Sequence, residues 1–137
     1  MTALLAIPTS PAVFVPDPIT DAEGAAMFRA AVNLFLKWDI TDEQSATLVD
    51  LPLRTYRRWK AGEQGRLGRD GKARLSNIMG IHKAMSYMFV EKQRAYAWIK
   101  APNEAFGGDS ALAIMLGGEL TDLMRVRRYL DAERGGW

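Results

Sequence analysis

The chain has 137 residues, 48% hydrophobic and 25% charged, with a formal net charge of +2 and no cysteine. That length suits one domain, or two small ones sharing a core, and the missing cysteines exclude disulfides and thiolate metal sites. No Lys or Arg precedes Arg29, and no apolar run approaches the ~20 residues of a membrane span, so a cytoplasmic protein with neither secretory signal nor membrane contact is expected.

Residues 1–20 contain Pro8, Pro11, Pro16 and Pro18 without helical period, which predicts an extended arm. Asp21 is the expected N-cap of a first helix to about Lys37, with Met27, Ala31, Leu34, Phe35 and Trp38 on one face. Thr41, followed by Asp42-Glu43-Gln44, predicts the capped start of a short helix to about Asp50. A further helix is expected over 53–61, after Pro52 and before Gly62. Four glycines in 62–71 predict a mobile basic loop. A long helix then runs from Lys72 to about Val90, presenting Leu75, Ile78, Met79, His82, Met85 and Phe89, and helix continues over 91–100, with room for a bend between. Ala101-Pro102-Asn103 breaks it, and shorter helices follow at about 110–116 and 119–134, separated by Gly117-Gly118. No alternation long enough for a strand occurs, so the fold class is all-α. The organisation expected is an arm over 1–20, a helix-turn-helix region over 21–71, and a compact helical domain over 72–137.

The charge is unevenly spread. Between Arg54 and Arg74 stand eight cations against Glu63 and Asp70, a net +6 in 21 residues, which leaves −4 elsewhere. Such a zone suits a polyanion. Within it, residues 42–61 meet the requirements of a helix-turn-helix. Ala46 is the small residue that lets two short helices cross, and Val49 and Leu51 can plug the space between them. Tyr56 and Trp59 can bury one face of the second helix. Arg54, Arg57, Arg58 and Ala61 fall within an arc of about 100° on the other. Asp50 occupies the turn where glycine is usual, and aspartate tolerates the left-handed region. The expected partner is double-stranded operator DNA, read by a dimer on two half-sites. Its contacts are Arg54, Thr55, Arg57, Arg58 and Lys60, with Arg66 and Arg69 following phosphates. A solvated basic face, or a helix-turn-helix that binds no DNA, would give the same pattern.

Nothing points to an enzyme. The one histidine, His82, lies on the apolar face of a helix, where a core role is expected. No cluster has metal-ligand spacing, no nucleophile has a visible base, and the Gly-Gly pairs form no phosphate-cradling pattern. We therefore expect no catalytic residue, no metal and no cofactor. A stand-alone transcription regulator, its C-terminal domain serving dimerisation or a ligand, is the alternative; a scaffold without a DNA role ranks third.

The last helix offers Leu120, Leu123, Met124 and Leu130 as a core stripe, and Gly135-Gly136-Trp137 follows it. An indole after two flexible residues can probe a partner or fold back on its own domain. Ala95-Tyr96-Ala97-Trp98, Pro102-Asn103-Glu104-Ala105-Phe106-Gly107-Gly108, Val126-Arg127-Arg128-Tyr129-Leu130 and Glu133-Arg134-Gly135-Gly136-Trp137 resemble the toxin-binding domain of the Xre/MbcA/ParS antitoxins. In that family a helix-turn-helix precedes this domain, so the likeness covers about residues 25–137. It implies that residues 72–137 bind a RES-domain toxin of ADP-ribosyltransferase-like fold that consumes NAD, within a larger toxin–antitoxin complex. It implies also that the C-terminal segment covers the toxin's active site, which nominates Arg128, Asp131, Arg134, Gly135, Gly136 and Trp137 as contacts. A cleft built for NAD suits the indole of Trp137 and its carboxylate as a plug.

Overall fold

A computed structural model describes residues 18–135; the proline-rich arm as far as residue 17, together with Gly136 and Trp137, lies outside them. The described residues form seven α-helices and a short 3-10 turn, with no strand among them. None of these helices is long and apolar enough to cross a membrane.

Helix α1 spans Asp21–Lys37, and its N-cap is Thr20, one residue earlier than the sequence suggested. The Thr20 hydroxyl accepts from the Glu23 N–H at 3.1 Å, and the Glu23 carboxylate accepts from the Thr20 N–H at 2.9 Å. A cap at Asp21 would place Gly24 third in the helix, with no side chain to return the bond. Helix α2 (Asp42–Val49) has the expected Thr41 cap, closed reciprocally by Gln44. Asp50 then takes the left-handed conformation (φ 55°, ψ 51°), and α3 (Leu53–Lys60) follows.

Helix α4 spans Arg69–Met88 and starts three residues before the expected Lys72. Extended Gly68 precedes it, Asp70 complements the dipole of its first turn, and the Asp70 carboxylate meets Arg74 at 2.7 Å. The basic loop is thus shorter than expected, and buried Leu67 pins it. Phe89 and Glu91 are extended, so α5 (Lys92–Trp98) is a separate helix and not a continuation. A 3-10 turn at Glu104–Phe106, α6 (Ala111–Met115) and α7 (Leu120–Glu133) are the last elements of the described residues.

Helix α4 is the spine: it packs mainly on α7 and α1, and also on α2 and α5. Flanked on two sides, it buries a wider stripe than one face predicts. Ile81 and Ala84 join Leu75, Ile78 and Met85 in the core, while Met79 and Phe89 are only half-buried. Full burial of Leu75, Ile78, Ile81 and Met85 contributes about 1.5–3 kcal/mol each. On α7 the buried row is Leu123, Val126 and Leu130, with Leu120 and Met124 at its edge. On α1, Phe28 takes the place expected of Met27.

Candidate nucleic-acid interface and the C-terminal face

Local packing decides which face of α3 meets solvent. Buried Ala46 lets α2 and α3 approach; Leu48 and Val49 are buried as well, whereas Leu51, expected as a plug beside Val49, is only half-buried. Tyr56 and Trp59 turn inward, where Phe28 of α1 meets both rings near edge-on, at centroid distances of 5.8 and 5.6 Å. With that face committed to the core, Arg54, Arg57 and Arg58 are left exposed, and Thr55 is half-buried.

The cations do not stand alone. Asp42, first residue of α2, receives Arg57 Nε on Oδ2 at 3.3 Å and Lys60 Nζ on Oδ1 at 2.8 Å. The Lys60 hydrogen bond holds the Asp42 carboxyl below its usual range, and the same bond raises Lys60. Asp21 similarly gathers Lys72 at 2.9 Å and Arg66 at 3.3 Å, tying the loop and α4 to the start of α1. Among the described residues, Arg54, Arg58 and Arg69 have no carboxylate within ion-pair distance. Arg74 leaves the basic surface altogether, being buried against Asp70. The exposed basic surface is therefore α3 together with Arg66 and Arg69.

Three separated stretches of the C-terminal half converge on one aromatic cluster. Trp98 of α5 stacks on Tyr129 of α7 at 6.2 Å and 6°, and Phe106 meets the same ring at 5.1 Å and 62°. The loop that delivers Phe106 is closed by Asn103, whose side chain accepts from the Ala105 N–H while its backbone N–H donates to the Asp109 carbonyl. Gly107 and Gly108 follow with φ of 69° and 94°, where a Cβ would strain the backbone.

At the end of α7, Arg128 is exposed, and Asp131 lies 3.8 Å from Arg134 and 4.0 Å from Arg127. The Arg134 guanidinium lies 4.7 Å from the ring centre of Tyr87, which is 65% exposed at the end of α4. Gly135 turns the chain with φ 102°. Arg128, Asp131, Arg134 and Gly135 thus share one helix end; Gly136 and Trp137 fall outside the described residues.

Residues 17–80 match the antitoxin Xre-like helix-turn-helix domain, and residues 87–136 match the antitoxin Xre/MbcA/ParS C-terminal toxin-binding domain. The chain belongs to the Xre/MbcA/ParS antitoxin family. An uncharacterised protein of Sinorhizobium fredii, y4oB, is 41% identical over 130 residues, covering 94% of this chain and 93% of that protein. In this antitoxin the convergence of Trp98, Phe106 and Tyr129 supplies a packing reason for the C-terminal motif.

Sequence reasoning missed four residues of these surfaces. Asp42 read only as a first-turn acid, and Asp21 only as a cap; their cationic partners lie 15 to 51 positions away. Phe28 stands beside the expected Met27, and Tyr87 lies off the apolar stripe of α4, so periodicity marks neither. His82, expected in the core, is half-buried instead. It lines a cavity of about 230 Å³ with Lys37, Lys92, Met85, Phe89 and Tyr96, among others. Burial first, then Lys37 and Lys92, push its imidazole pKa down. No group of metal-ligating side chains occurs among the described residues.

Proposed function

We propose that this antitoxin neutralises a RES-domain, NAD-consuming toxin by covering its active site with the C-terminal segment, and that it represses its own operon as a homodimer. On the toxin side the contacts are Arg128, Asp131, Arg134, Gly135, Gly136 and Trp137. On the DNA side they are Arg54, Thr55, Arg57, Arg58 and Lys60, with Arg66 and Arg69 on phosphates. One observation carries the reading. An arginine face with a fully packed back stands in the helix-turn-helix match, and a second charged surface, at the end of α7, stands in the toxin-binding match.

In this reading residue 72 divides two surfaces along one continuous helix, since α4 crosses that position and packs on both α1 and α7. The choice of a RES toxin rests on the motif residues at 95–137. A dimer fits because one short recognition helix offers few base contacts, and two half-sites multiply them. Co-expression with a RES-domain toxin tests the proposal. The two proteins are expected to purify together, with NAD consumption suppressed, and removal of residues 135–137 is expected to restore consumption. A toxin that stays fully active beside the intact antitoxin would refute it.

A further inference from the structure

We propose that Asp42 is a positioning residue for DNA reading: by holding Arg57 through Nε, it presents the two terminal amino groups of that arginine to a guanine. The inference rests on α3 being the recognition helix, as proposed above. It goes further, naming which arginine reads a base and what aims it.

Three arginines stand on the exposed face of α3, and among the described residues only Arg57 has a carboxylate brace. Its Nε is on Asp42 Oδ2 at 3.3 Å, and no other protein acceptor engages its guanidinium among the described residues. The side chain remains 56% exposed, so the outer edge of the fork is open. A guanine presents O6 and N7 side by side in the major groove, and two parallel N–H groups match that pair. With Nε committed to aspartate, the Nη1 and Nη2 edge supplies them.

A long side chain loses rotamer freedom when it docks, and a brace already in place reduces that loss. The brace is itself fixed. Asp42 begins α2 directly after the Thr41 cap, where the helix dipole favours a carboxylate. Its other oxygen carries Lys60 at 2.8 Å, so the three groups sum to +1 and Asp42 brings no net repulsion toward phosphate. Among the described residues Arg54 and Arg58 have no such brace, which suits sequence-independent phosphate contacts.

The test uses a duplex selected by the full-length protein from a random pool, a scrambled duplex, and copies of the selected duplex with single guanines replaced by 7-deazaguanine, which lacks N7. The unaltered protein is expected to lose about tenfold in affinity at one guanine per half-site. Arg57→Ala and Asp42→Asn are each expected to abolish that dependence, and to narrow the preference for selected over scrambled DNA by a similar factor. In the Arg57→Ala background, Asp42→Asn should change the preference no further. Asp42→Glu, whose longer arm still reaches Nε, should restore the guanine dependence. Asp42→Asn that keeps the full dependence, or that tightens selected and scrambled DNA equally, would overturn the proposal. If Arg54→Ala, Arg57→Ala and Arg58→Ala all bind the selected duplex as the unaltered protein does, it is α3 as the recognition helix that fails.

Discussion

The ring of Phe28 on α1 meets the indole of Trp59 on α3 at 5.6 Å and 72°, so the basic face of α3 is held outward by a contact 31 positions away in the chain. Phe28 is almost completely buried, and Tyr56 shares it. Truncation leaves a cavity between two helices that cannot both close in. Phe28→Ala should therefore cost about 3–5 kcal/mol, read as a lower denaturant midpoint. A loss below about 1 kcal/mol would mean that α1 does not buttress the recognition helix.

Gly65 offers a second route to the same indole. A Cβ there would lie 2.8 Å from Trp59, whereas one at Gly68 would meet nothing within 4 Å. Gly65→Ala is expected to destabilise by about 1–3 kcal/mol through overpacking. Gly68→Ala, with open space around it, is expected to stay within about 0.5 kcal/mol. Equal midpoints for the two variants would show that the loop is not packed on α3.

His82 is expected to make stability depend on pH. Its folded pKa lies below the unfolded value of ~6.5, so between the two values the unfolded chain binds more protons. Stability should fall as pH drops below ~6.5 and level off once the folded imidazole is also protonated. His82→Gln is expected to flatten that part of a melting-temperature profile from pH 8 to pH 5. A decline of unchanged size in the variant would assign the effect to other groups.

Binding to DNA should depend on salt, and the loop should carry part of that dependence. Arg66 is highly exposed beside Asp21, and Arg69 has no carboxylate within ion-pair distance among the described residues. Neutralising both should reduce the slope of log affinity against log salt by about 1–2, with sequence preference unchanged. An unchanged slope would place the loop away from DNA.

Much of this was legible in the residues because local physics decides it. Thr41 caps α2, Asp50 takes the left-handed turn, Tyr56 and Trp59 go inward, and the all-α class follows from periodicity alone. The rest depends on partners distant in sequence. The stripe on α4 broadened because helices pack on two sides of it, so Ile81 and Ala84 are core residues that a single-face reading omits. Arg74 belongs to the basic stretch by sequence, whereas the fold buries it against Asp70, four residues back. Asp42 and Lys60 show the same limit at the site: a short-range pattern reveals the cations, and only folding reveals the carboxylate that orients them.

The proposed function puts DNA reading and toxin neutralisation on different surfaces. A single variant carrying Arg54→Ala and Arg58→Ala tests it in cells that express a RES-domain toxin and a reporter under the antitoxin's operator. The measurement is cellular NAD alongside reporter output. Repression is expected to be lost while NAD stays at the level seen with the unaltered antitoxin. Collapse of NAD with a variant that melts like the unaltered protein would contradict it.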